Sequence, residues 1–141
     1  MPYLHLDLPG TYESSAKREL ATRLCKLYAE VMQTQLWRPT VGVAELGPDN
    51  LFHLGENELE PIVMVLCEIR RGRPDDVRLK LAHGIVDICV DILGVLRRSV
   101  MVEFTLHTGH EIVRDGSWVK DWTPDEAVPD PNPGAARDLA D

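Results

Sequence analysis

Residues 2–10 read Pro-Tyr-Leu-His-Leu-Asp-Leu-Pro-Gly, and this stretch decides how the chain begins to fold. Leu4, Leu6 and Leu8 alternate with polar or aromatic residues, which is typical of a strand with one buried face. The Pro-Gly pair that follows is a turn signal and ends the strand. The stretch therefore predicts a β-strand over residues 3–8 that begins one residue after a proline.

A helix and a second strand follow this first strand. From about Ser14, apolar residues recur at helical spacing through Met32, which predicts a helix of roughly five turns. A β-rich run over residues 40–46 then begins immediately after Pro39. These three elements form the first predicted β-α-β unit.

The same order of elements repeats later in the chain. The apolar run at 62–69 predicts a strand, Pro74 opens a helix with two aspartates in its first turn, and 100–105 predicts another strand. Proline and acidic residues both suit a helix N-terminus. Because crossover helices between parallel strands pack on the sheet, we expect an α/β (α+β) fold with a four-stranded sheet and two helices on one face.

The domain organisation follows from these two units. We expect a single domain over residues 1–123, with units at about 2–50 and 60–106 and a C-terminal extension. Residues 124–141 are rich in proline and poor in apolar side chains, so we expect a mostly disordered tail. The second face of the sheet has no helix to cover it, which predicts oligomerisation.

Composition narrows the function classes. The formal net charge of −8 disfavours nucleic acid as a partner, because phosphate binding needs a clustered basic face. The three cysteines lie at wide spacing in apolar stretches, as expected for buried thiols in a reducing compartment. No signal peptide or membrane-spanning run is visible, so we expect a cytoplasmic protein that does not bind membranes.

Two local features carry chemistry. Removal of Met1 would make Pro2 a free secondary amine, and an α-amino group has a pKa of about 7.7 to 8.0, close enough to neutrality to act as a base or nucleophile. Arg70 and Arg73 flank a glycine where a predicted strand ends and a helix begins, which is where open sheets bind ligands. Two guanidinium groups there can hold a carboxylate, although a solvated basic turn would look the same.

The sequence resembles the tautomerase superfamily, and within it the cis-3-chloroacrylic acid dehalogenase group, over roughly residues 2–120. The matching pieces are Pro2, Ser15-Ala16-Lys17, the Arg-x-Gly-Arg of residues 70–73, Ile85-Val86-Asp87, and the strand at 100–104. The resemblance implies a homotrimer of β-α-β units. It also implies that the proline amine is base, acid or nucleophile, and that Arg70 and Arg73 bind and polarise a substrate carboxylate.

The chain departs from that family at three positions. Tyr28 stands where the dehalogenases have a histidine, and Glu103 where they have a tyrosine. Arg114 falls at or near their water-activating glutamate, with Asp115 as its nearest acidic neighbour. Tyr28 is either a core residue or a catalytic one, and Glu103 is either solvent-facing or a substitute base for activating water.

We therefore predict an enzyme whose catalytic residues are Pro2, Arg70, Arg73, Tyr28 and Glu103. It would transfer a proton on a small 2-oxo or unsaturated carboxylate, without a cofactor or metal. One alternative is a hydratase or dehalogenase of 3-substituted acrylates. The other is a non-catalytic trimer in which Pro2 only begins a strand.

Overall fold

The protein is described here by a computed structural model over residues 2–128. Its first unit is formed by β1 (Tyr3–Leu8), α1 (Ser14–Val31) and β2 (Thr40–Glu45). β1 and β2 are parallel, and the three leucines of β1 are fully buried. Burial of one face of β1 therefore explains the alternation in residues 3–8, as the sequence predicts.

The second unit repeats this arrangement after a short hairpin. Its elements are β3 (His53–Leu54), β4 (Leu59–Glu60), β5 (Val63–Arg70), α2 (Asp75–Leu93) and β6 (Val100–His107). α2 begins one residue later than predicted, because Pro74 occupies the capping position in an extended conformation. Gly94 ends the helix in the left-handed conformation, with φ +68°, that favours glycine at this position.

The four long strands form one sheet in the order β2-β1-β5-β6. The two outer pairs are parallel, whereas β1 and β5 are antiparallel at the centre. Buried side chains from β1, β5 and both helices form one apolar cluster. The predicted four-stranded sheet with two helices on one face is therefore confirmed.

The other face of the sheet carries a mixed surface. Val63, Val65 and Cys67 are fully buried beneath the helices, so the alternate residues Met64 and Leu66 face the open side. His5 and Asp7 lie on the same open side and are joined by a hydrogen bond of 2.8 Å. The apolar part of this face has no cover within the described chain.

A C-terminal segment, residues 119–128, runs back to the end of β5. It follows a small hairpin made of β7 (Val113–Arg114) and β8 (Ser117–Trp118). The Trp122 amide donates to the Arg71 carbonyl at 2.9 Å, and the Val128 amide donates to the Gln33 carbonyl at 2.8 Å. Residues 124–128, assigned by the sequence analysis to the tail, are thus placed in contact with the domain, whereas 129–141 lie outside the described residues.

No helix among residues 2–128 is long and apolar enough to cross a bilayer.

Gly72 is required where the C-terminal segment meets β5. Its φ is +123°, and a Cβ there would lie 2.0 Å from the Trp122 carbonyl oxygen. Gly94 also has positive φ, but a Cβ there meets nothing within 4 Å.

Gly72→Ala should lower the free energy of unfolding by more than about 2 kcal/mol and Gly94→Ala by about 1 kcal/mol, as urea titration would show. Equal losses would contradict the close approach of the segment.

Candidate active site

The site is a small cavity at the edge of the sheet where β1 begins and β5 ends. Antiparallel pairing of Tyr3 with Glu68 brings Pro2 beside the last residues of β5. The cavity has a volume of about 20 Å³, room for about one water molecule. Its lining consists of Pro2, Tyr28, Thr34, Arg38, Arg70, Arg73 and Val119. The structure therefore brings four of the five predicted site residues together.

Arg70 is the last residue of β5, and its terminal nitrogens already have partners. Nη1 donates to the Lys120 carbonyl at 2.6 Å. Nη2 lies 2.9 Å from Oε2 of Glu126, and Nη1 lies 3.5 Å from Oε1 of the same carboxylate. A carboxylate from the C-terminal segment thus occupies Arg70 in the bidentate manner that arginine favours.

Arg73 lies deeper, with only 8% of its surface exposed. Its Nε donates to the Met32 carbonyl at 2.9 Å, and its guanidinium carbon lies 4.6 Å from the centre of the Trp122 ring. Burial is the largest cause of a pKa below the usual value for arginine. The group still remains charged at physiological pH, because arginine ionises far above it.

Tyr28 belongs to the core and also lines the cavity. It lies on the buried side of α1 with 2% of its surface exposed. Burial raises the pKa of its hydroxyl to about 12, although the charges of Arg73 and Arg70 lower it. The side chain is therefore a neutral phenol that can donate a hydrogen bond at physiological pH.

Arg38 is a charged residue of the cavity that was not predicted from the sequence, as Thr34 and Val119 also were not. It lies in the loop before β2, and its guanidinium carbon is 5.1 Å from the centre of the Trp37 ring. Arg114 packs on the same ring at 5.5 Å. The pKa of Arg38 is lowered by burial and then by the charges of Arg114 and Arg70. Since β2 is parallel to β1, the start of β2 lies at the edge of the sheet that holds Pro2. The predicted β-α-β unit could therefore have indicated that Arg38 lies near Pro2.

A larger groove adjoins the cavity, and the two share Arg38, Arg70 and Val119. The groove has a volume of about 770 Å³, and Arg114 and Asp115 also line it. Arg114 Nε lies 3.5 Å from Asp115 Oδ2, although 90% of the aspartate side chain is exposed. A small acid could therefore approach Pro2 through this groove.

Glu103 lies elsewhere in the same chain. It pairs with Leu66, which pairs with His5 on the open face of the sheet. Glu103 therefore lies two strands away from β1, at the level of His5, which is three residues after Pro2. The structure of one chain does not bring Glu103 to the cavity.

His107 and His110 lie near the carboxyl end of β6. His107 ends β6, bonds to Glu68 and lies 3.7 Å from Glu111, while His110 belongs to a short 3-10 turn. Among residues 2–128, no three His, Cys, Asp or Glu side chains converge as a metal site would need.

Comparison with known proteins places the fold. No protein-family model and no curated protein matches the sequence. Among solved structures, N1, a member of the cis-3-chloroacrylic acid dehalogenase family, matches with a TM-score of 0.75 and 17% identity over 84% of each chain. Pt0534, inactivated by 2-oxo-3-pentynoate, matches with a TM-score of 0.74 and 16% identity over 83% of this chain and 95% of its own.

A fused 4-OT that forms an asymmetric trimer matches with a TM-score of 0.75 and 18% identity, over 82% of this chain and 94% of its own. Each of these similarities covers 82% to 84% of this chain. The identities are low, so they bear on architecture. The chain has the tautomerase-like β-α-β fold that its sequence resemblance implies.

Proposed function

We propose that this chain is a tautomerase-superfamily enzyme whose Pro2 amine, freed by removal of Met1, transfers a proton on a small 2-oxo or unsaturated carboxylate. The observation that carries the proposal is the shared cavity. Pro2 lines it together with three arginines and a buried, neutral tyrosine. A base, a set of cations for the acid group and a hydrogen-bond donor are thus present in one place.

The surroundings of Pro2 favour a neutral amine. Three guanidinium groups line the same cavity, and nearby positive charge disfavours the protonated form of an amine. The Pro2 carbonyl accepts a hydrogen bond of 3.0 Å from the Thr40 amide, which fixes the residue at the start of β1. A fixed amine that is neutral near pH 7 suits general-base catalysis.

The proton moves between oxygen and carbon of the substrate. The positive charge of the arginines that line the cavity attracts the substrate carboxylate to a position next to Pro2. The Pro2 nitrogen removes the enol proton of a 2-hydroxy-enoate and returns it to carbon, which yields the 2-oxo acid. Tyr28, as a neutral phenol, donates a hydrogen bond to the oxygen on which negative charge develops.

Neighbouring structures support this chemistry without deciding it. Pt0534 is inactivated by 2-oxo-3-pentynoate, which is itself a small 2-oxo acid. N1 belongs to a dehalogenase family, and this favours the hydratase or dehalogenase as the second candidate. Asp115 would then be the nearest acid for activating water, since it lines the groove that adjoins the cavity.

The same proposal includes a homotrimer. The open face of the sheet carries Met64 and Leu66, together with Met101, of which 47% is exposed. A second copy is the expected cover, because one trimeric neighbour has the same fold. Glu103 lies on this face, so a trimer would place it at a subunit contact.

The alkynyl acid 2-oxo-3-pentynoate should inactivate this protein by conjugate addition of the Pro2 nitrogen to the alkyne. The amine forms a bond to carbon, and its proton moves to the neighbouring carbon. Peptide mass mapping should find one adduct at Pro2. The matched control is a chain extended at its N-terminus, in which the Pro2 nitrogen is an amide and should not react. An adduct on Cys25, or none, would contradict the nucleophile assignment.

The Tyr28 hydroxyl should ionise about two pH units above an ordinary tyrosine, because burial disfavours the phenolate. Absorbance titration of wild type minus Tyr28→Phe isolates this group from the other two tyrosines. The expected midpoint is about 12. A midpoint near 10 while circular dichroism still reports folded protein would show that the hydroxyl is solvated.

Tautomerisation of a 2-hydroxy-enoate should be faster than dehalogenation of cis-3-chloroacrylate. Dehalogenation also needs an activated water, and general-base assistance is worth about 10²- to 10⁴-fold. The measurement compares kcat/KM for both substrates in wild type, Glu103→Gln and Asp115→Asn. Efficient dehalogenation that collapses in either variant would make the second candidate function the correct one.

Sedimentation should give three times the 15.9 kDa chain mass at micromolar concentration. Leu66→Arg should dissociate the assembly, because it places a charge on the covered face. Leu79→Arg is the matched control, since Leu79 on α2 is 58% exposed and should leave the mass unchanged. A stable wild-type monomer would contradict the homotrimer.

A further inference from the structure

The three arginines of the cavity differ in how far their hydrogen-bonding capacity is already used. Arg70 has a partner on each terminal nitrogen, namely the Lys120 carbonyl and the Glu126 carboxylate. Arg73 gives only its Nε, to the Met32 carbonyl. The Arg38 side chain has neither a hydrogen bond nor an ion pair with any residue from 2 to 128.

Arg38 lies near an acid that is already paired elsewhere, because the Glu126 carboxylate that acts on its charge forms its ion pair with Arg70. The Arg38 guanidinium packs on Trp37, and its pKa is lowered by burial and by the like charges of Arg114 and Arg70, against the opposing effect of Glu126. Like charges held together away from bulk water repel each other until an anion enters. Arg38 lines both the groove and the cavity, so an acid arriving through the groove meets it on the way to Pro2.

Binding the substrate at Arg70 would instead require an exchange of partners. Arg70 is 13% exposed at its side chain and Glu126 is 35% exposed, so their pair is partly shielded from water. A substrate carboxylate on Arg70 would displace Glu126 and leave two negative groups close together. The exchange replaces one charge-assisted pair on Arg70 by another of the same kind, so Arg70 contributes little net attraction for the substrate.

We propose that Arg38 and Arg73 bind the substrate carboxylate at the Pro2 cavity, and that Arg70 is a structural residue whose bonds to Lys120 and Glu126 tie the C-terminal segment to β5. This inference rests on the proposed function for the identity of the acid. The sequence resemblance implies that Arg70 and Arg73 bind the acid. In this chain Arg38 takes the place of Arg70, because Arg70 already binds the carboxylate of Glu126.

The test compares binding of a 2-oxo acid with binding of its uncharged amide by calorimetry. The probes are 2-oxobutanoate and 2-oxobutanamide, which differ in the charge that the arginines would recognise. Wild type should bind the acid at least about tenfold more tightly than the amide. Arg38→Gln should weaken acid binding by about 10- to 100-fold and leave amide binding nearly unchanged.

The comparison variants separate recognition from damage to the fold. Arg70→Gln should retain the preference for the acid, while its C-terminal segment becomes more sensitive to protease. Arg97→Gln is the matched control. Arg97 is an exposed arginine that pairs with Asp87 before the start of β6, far from the cavity, so its loss should not affect acid binding. Arg38→Lys keeps the charge without the planar fork and should restore part of the preference.

Each outcome has a defined meaning. An unchanged preference in Arg38→Gln, or a loss in Arg70→Gln as large as in Arg38→Gln, would overturn the inference. Glu126→Gln gives an independent reading: acid binding that tightens in Glu126→Gln but not in the double variant Glu126→Gln with Arg70→Gln would overturn the inference, because Glu126 would then compete with substrate for Arg70. Arg38-dependent binding without turnover of a 2-hydroxy-enoate by wild type would reject the proposed function and leave this inference intact.

Discussion

The antiparallel pairing of β1 with β5 is the constraint on which the rest of the structure depends. It joins two parallel β-α-β units into one sheet and sets the start of the first strand against the end of the third. Pro2 and the Arg70 to Arg73 turn are far apart in sequence, and this pairing alone makes them neighbours. The loop before β2 lies at the same edge, which is why Arg38 joins them.

The C-terminal segment packs against this edge of the sheet and narrows the cavity beside Pro2. Trp122 packs under Arg73, and Glu126 compensates the charge of Arg70. Together with Val119 these contacts reduce the space beside Pro2 to about 20 Å³, next to the wider groove that shares Arg38 and Arg70. Under the proposed function, close packing and charge compensation determine which cations attract the acid.

Much of the fold was predictable because it depends on burial. The alternation in residues 3–8 and the helical spacing after Ser14 follow directly from side chains that need one apolar face. One cavity is lined by four residues that the motifs and the resemblance singled out, namely Pro2, Arg70, Arg73 and Tyr28. Arg38 was missed because it lies in a loop outside any motif, although parallel pairing of β1 with β2 places that loop at the edge that holds Pro2. Glu126 was missed because a proline-rich stretch gives no sign of packing. Glu103 lies apart because alternation places it on the open face.

The central claim is that Pro2 acts as a free secondary amine, and the intact mass of an active preparation tests it most directly. The measurement follows mass and activity on a 2-hydroxy-enoate in the same sample. The account predicts a chain that lacks Met1, since a proline joined to methionine has an amide nitrogen without basicity. Full activity in a preparation in which every chain retains Met1 would contradict it.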